Sequence, residues 1–123
     1  MAQSRNKSAS VENLVAQFEA TALAQYRAIW TDQNAIYNRL YARMVDIRLE
    51  LKARAGDQRR ALVPLLLSDN VQVRLMAANT LLSIAPDLAR KTLESVRDHG
   101  LLPQAADASM MLKALDDGSY VPD

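Results

Sequence analysis

Residues 67–86 read LSDNVQVRLMAANTLLSIAP, and their pattern decides the fold. Ser68-Asp69-Asn70 is a polar turn, with Asn70 placed to cap the helix that follows. Val71, Leu75, Ala78 and Leu82 fall on one helical line, with Val73, Ala77, Leu81 and Ile84 beside it. A helix apolar on so many sides is buried against more than one neighbour. Pro86 cannot continue it but suits the first turn of another helix. One arginine, Arg74, interrupts the apolar surface. Its planar fork can hydrogen-bond the carbonyls or acidic groups of the adjacent turn, so Arg74 and the neighbouring alanines are read as serving helix stacking.

The pattern extends in both directions. Upstream, Asp57 can cap a helix running to Leu67, and Pro64 inside it removes an amide, so a bend is expected. Downstream, one helix carries Leu88, Leu93 and Val96 and stops at Gly100; a last one, opened by Pro103, places Ala106, Met110 and Ala114 on one line with Met111 and Leu115 beside it, and ends at Gly118. Before Gly56 the helices are longer. Val11, Leu14, Val15, Phe18, Ala22, Tyr26 and Ile29 form one apolar face after a Ser10 cap. Ile36, Tyr37, Leu40, Met44, Ile47 and Leu51 form a second, and a weak polar break at Thr31-Asp32 and Asn34 separates the two. No strand signal occurs. The expectation is an all-α chain of about six helices. Residues 1–9 read as a loose arm and 10–118 as a single domain: a hairpin over 10–55, a repeat-like unit over 57–85 and a degenerate second copy over 86–118. Residues 119–123 form a tail.

Length and composition agree. At 123 residues the chain can bury a core without a metal or disulfide staple. A net charge of +1 lacks the clear excess typical of nucleic-acid or anionic-membrane binding. With no cysteine, thiolate chemistry and Cys-based metal sites are excluded. The first residues, MAQSRNKSAS, lack the apolar core of a secretory signal, and no apolar run is long enough to span a bilayer. The cytoplasm is the expected location.

The segment LVPLLLSDNVQVRLMAANTLLSIAP resembles a HEAT-type helical repeat, through Pro64, the Ser68-Asp69-Asn70 turn, Val73-Arg74, Ala77-Ala78 and Leu81-Leu82. Ser68 stands where that repeat usually has an acidic residue. The whole chain resembles a small bacterial family of unknown function with this layout, including its closing pattern of Gly100, Pro103, Ala105, Asp107-Ala108, Met110, Leu112, Leu115-Asp116 and Gly118. The resemblance implies a short α-α superhelix and no particular activity.

Catalytic chemistry finds little support. His99, the single histidine, sits in a last helical turn, where an imidazolium complements the macrodipole. Asp107 lies in a first turn, where acid is favourable; Asp116 and Asp117 lie in a last turn, where it is not, and read as a solvated end or a recognition surface. No glycine-rich phosphate loop or nucleophile elbow is present. No cofactor and no metal are expected.

Two surfaces remain. Arg39, Arg43, Arg48, Lys52, Arg54, Arg59 and Arg60 cluster against Asp46, Glu50 and Asp57. Arg39, Arg43, Arg48, Lys52 and Arg59 are the candidate phosphate contacts of a nucleic-acid reading, although the acids make much of the cluster a mixed-sign stripe. The aromatics form two i,i+4 pairs, Tyr26–Trp30 and Tyr37–Tyr41, which either pin the hairpin or, exposed, anchor a partner. The leading expectation is a non-enzymatic protein-interaction module, an adaptor or inhibitor. Its candidate contacts are Trp30, Tyr41, Arg43 and Arg74, with an open helical end available for pairing of two copies.

Overall fold

Ser10 opens the first helix as the sequence predicts: its side-chain oxygen accepts from the Asn13 amide at 3.0 Å. The computed structural model describes residues 7–123. The loose arm expected over 1–9 thus falls mostly outside the described residues; within 7–9, the Ala9 carbonyl accepts from Arg54 Nη2 at 2.7 Å. Among the described residues there are six helical elements and no strand. These are α1 (Val11–Trp30), α2 (Asn34–Ala53), a 3-10 helix (Gln58–Leu67), α3 (Val71–Leu81), α4 (Pro86–His99) and α5 (Gln104–Asp117). The chain divides into two units, Met1–Ala61 and Leu62–Asp123.

In the first unit α1 packs on α2 across the turn at residues 31–33, where Thr31 and Gln33 amides return to the Arg27 and Ala28 carbonyls. The buried positions of α1 are Leu14, Phe18, Thr21, Ala22, Gln25 and Ala28; those of α2 are Met44, Ile47 and Leu51. Alternating steps of four and three keep one seam facing the partner helix. The seam leaves Tyr26 and Ile29 at its edge and takes in two polar residues instead. Thr21 is accommodated because its hydroxyl donates to the Gln17 carbonyl at 2.7 Å within the same helix. Ile36, expected in the core, is exposed. α2 ends at Ala53 with the extended Arg54 as its C-cap, and not at Gly56 as expected; Gly56 is left-handed at φ +78° in the turn beyond, and Asp57 follows it at +51°.

The segment from Gln58 to Leu67 is where expectation and structure differ most in local geometry. A bent α-helix was expected; the whole segment winds as 3-10 turns instead. Pro64 offers no amide to an α-type ladder, and tighter turns still bury Leu62, Leu65 and Leu66.

In the second unit α3 packs against α4 and α5, and α4 against α5. Asn70 Oδ1 accepts from the Gln72 and Val73 amides, as its capping role requires. α3 is buried on nearly every side, with Val73, Leu75, Ala77, Ala78 and Leu81 fully so. The Ile84 and Ala85 amides both return to the Leu81 carbonyl and end the helix before Pro86. α4 is buried along Ala89, Leu93 and Val96, while Leu88 faces out. In α5 the core line is Gln104, Ala108 and Leu112. The expected line of Ala106, Met110 and Ala114 is instead turned largely outward, with Ala106 and Met110 exposed. No helix is long and apolar enough to cross a membrane.

Candidate functional site

The hairpin turn places Trp30 at the last position of α1. Its ring meets Tyr26 edge-on, with centroids 6.0 Å apart and planes at 70°. The predicted pair therefore forms, yet Trp30 stays 63% exposed. On α2, Tyr41 is 52% exposed and Tyr37 half-buried. Both outcomes weighed from sequence are thus realised in part: one ring of the first pair supports the other, and the supported ring is left facing solvent.

Arg74 makes the turn contact that its fork allows. Its Nη1 donates to the Ser68 carbonyl at 2.7 Å, and the Ser68 hydroxyl accepts from the Asn70 amide at 3.1 Å. The turn, its cap and Arg74 form one connected set of hydrogen bonds, which makes Arg74 a half-buried structural residue.

The five candidate phosphate contacts do not lie on one surface. Arg59 is withdrawn: it is 3% exposed, and its Nε and Nη2 donate to the two carboxylate oxygens of Asp57 at 2.9 and 2.7 Å. A buried guanidinium held at both ends by a carboxylate is not presented to a phosphate. That pairing also holds the Asp57 carboxyl below its ordinary value. Arg39 and Arg43 are exposed and hold no ion pair among the described residues; they share a flank of α2 with Asp46 and Glu50. Arg48 and Lys52 are half-buried and lie on the other flank. Arg54 pairs with Glu50 at 2.6 Å.

The three carboxylates singled out in the second unit lie along α5. Asp116 pairs with Arg90 across from α4. Asp117 accepts from the Ser119 amide at 2.9 Å, and this hydrogen bond keeps its carboxyl below the usual range. The acid at this helix end therefore has local partners. Asp107 is exposed by area yet partly desolvated, which holds its carboxyl above the usual range. His99 is exposed in the last turn of α4, its Nδ1 3.3 Å from the Ser95 carbonyl. Among the described residues no three His, Asp or Glu side chains are grouped so as to hold a metal ion.

Sequence reasoning missed one polar relationship in the core. Gln104 and Gln72 are both buried, and Gln104 Nε2 donates to Gln72 Oε1 at 3.0 Å. The available signal was Gln104 at four-residue spacing from Ala108 and Leu112.

These features define an all-helical protein whose exposed aromatic side chains, Trp30 and Tyr41, lie on the N-terminal hairpin beside the exposed Arg39 and Arg43. Residues 12–116 match the Domain of unknown function family DUF2019, and the chain belongs to that family. It is similar to a solved crystal structure, that of the protein RPA1889 from Rhodopseudomonas palustris CGA009. The two share 43% identity over 95% of this chain and 97% of that one, with a TM-score of 0.93. No curated protein matches the chain.

Proposed function

We infer that the chain is a non-enzymatic protein-interaction module of the bacterial cytoplasm, an adaptor or inhibitor built on a HEAT-like layout. The observation that carries this reading is Trp30, a large aromatic ring left 63% exposed while Tyr26 braces it from the side. Tryptophan and tyrosine supply much of the energy at protein interfaces because they bury large area at low entropic cost. Tyr41 and Arg43 are further contacts on the same unit. Arg74 is assigned to its turn. The HEAT-like layout is supported by the turn held by Arg74, the fully buried Ala77-Ala78 pair and the proline-containing helix before them.

A second reading, nucleic-acid binding, draws support from Arg39 and Arg43, which are exposed without an ion pair among the described residues. It is weakened by the withdrawal of Arg59 and by Asp46 and Glu50, which share a flank of α2 with Arg39 and Arg43. Affinity capture from lysate, with and without nuclease, separates the readings. A stoichiometric protein retained after nuclease and lost with Trp30→Ala supports the interaction module. Retention that vanishes with nuclease, or steeply with salt, supports the second reading.

A further inference from the structure

Each unit presents apolar side chains to solvent that its own packing leaves uncovered. On α2 this line is Tyr41, Val45 and Leu49, at four-residue steps on a side of the helix distinct from the buried Met44, Ile47 and Leu51. Tyr41 and Leu49 are 52% and 46% exposed. Arg48 and Lys52 flank it, while Asp46 and Glu50 lie elsewhere around the helix. On the second unit α5 exposes Ala106 and Met110, one four-residue step apart, and Leu102 is exposed in the turn before the helix. Leu102 and Met110 are 72% and 68% exposed. Asp107 and Asp117 lie on the same helix, with Lys113 its one cation.

The charge of the two units follows the same division. Residues 1–61 carry ten basic and six acidic side chains, a net of +4; residues 62–123 carry five and eight, a net of −3. Rows of side chains four residues apart are the ridges that interdigitate when helices pack. A cation-flanked ridge and an apolar face on the more acidic unit, both open to solvent on one chain, are complementary in sign.

We propose that the occupant of the Tyr41–Val45–Leu49 ridge is a second copy of this chain, docking through its exposed Ala106 and Met110 on α5 and the preceding Leu102. The contact is heterologous, one face meeting a different face, so the pair keeps one free face of each kind and association continues head to tail until it closes into a ring or stays open. The attraction has an electrostatic part, which added salt screens as the Debye length falls from about 10 Å at 0.1 M to about 3 Å at 1 M. The inference does not depend on the partner read from Trp30.

The test is sedimentation velocity from micromolar to near-millimolar protein. The full chain, Tyr41→Ser/Leu49→Ser, Leu102→Ser/Met110→Ser and Trp30→Ala are compared at low and high salt, with circular dichroism as a check on folding. The exposed positions are chosen so that the fold survives. The full chain should associate with rising concentration, and less so in high salt. Each double variant should weaken association by about tenfold or more, from the loss of two partly exposed apolar side chains. Trp30→Ala should leave it unchanged. An equimolar mixture of the two double variants should form a 1:1 complex and stop there, since each supplies the face the other lacks. A full chain monomeric throughout overturns the proposal. So does association indifferent to both double variants, or a mixture that fails to restore pairing.

Discussion

Gln104 donates through Nε2 to the Oε1 of Gln72 at 3.0 Å, joining the first turn of α5 to the first turn of α3 inside the apolar core of the second unit. Buried amides are tolerated when they satisfy each other and costly when one is left alone. Gln104→Leu should therefore destabilise the protein by about 1–3 kcal/mol, because Gln72 loses a buried partner. The double variant Gln72→Leu/Gln104→Leu should recover part of that loss. Urea unfolding of the two single variants and the double variant, treated as a double-mutant cycle, measures the coupling.

Arg74 should matter to stability and not to recognition. Removing its hydrogen bond to the Ser68 carbonyl with Arg74→Ala should cost about 1–2 kcal/mol, a discount on a fully buried charged bond because the side chain is only half-buried. The check is thermal unfolding beside partner capture. A lower Tm with capture retained is expected; unchanged Tm with capture lost would move Arg74 to the interface.

Asp57 gives the molecule a pH dependence of defined sign. Its folded-state carboxyl is lowered, first by the side-chain hydrogen bond from Arg59, so the folded state holds its proton less readily than the unfolded chain does. The pair's contribution is present above the ordinary carboxylate range and is lost as pH falls through the lowered folded value. Arg59→Met keeps the buried volume and removes the pair. Tm followed from neutral pH into acid should fall less steeply in that variant than in the full chain.

Gly100 is required for space and not for a left-handed backbone, since its φ is −84°. A Cβ there would run into the Val96 carbonyl oxygen, the acceptor of the Gly100 amide at 2.8 Å. Gly100→Ala should cost about 1–3 kcal/mol, the range for forced overpacking. Gly118→Ala meets nothing within 4 Å, and its cost is confined to the left-handed conformation at φ +78°. Paired denaturation curves for the two variants separate the two causes.

Much of the architecture could be read from local signals. Ser10, Asn70 and Pro86 act at the positions their chemistry suggested, because caps and stops depend on neighbours in sequence. The misassignments arose where a helix has two apolar lines. In α5, Ala106 and Met110 compete with Ala108 and Leu112 for the core. The choice was decided by Gln104, whose burial became acceptable only through Gln72, 32 residues away in sequence. In α1 the seam takes in Thr21 and Gln25, because polarity on a core line is invisible to a pattern that counts only apolar residues. At the candidate surface, the exposure of Trp30 and the withdrawal of Arg59 depend on burial and pairing, which composition and spacing leave open.

The most direct test of the interaction reading is quantitative capture of lysate protein on immobilised full chain and on Trp30→Ala, each treated with nuclease and matched for Tm. The account predicts a stoichiometric protein retained by the full chain and lost, or weakened by about tenfold or more, on the variant, as expected when an anchoring tryptophan is truncated. Equal retention on both, or retained material that nuclease removes, would contradict it.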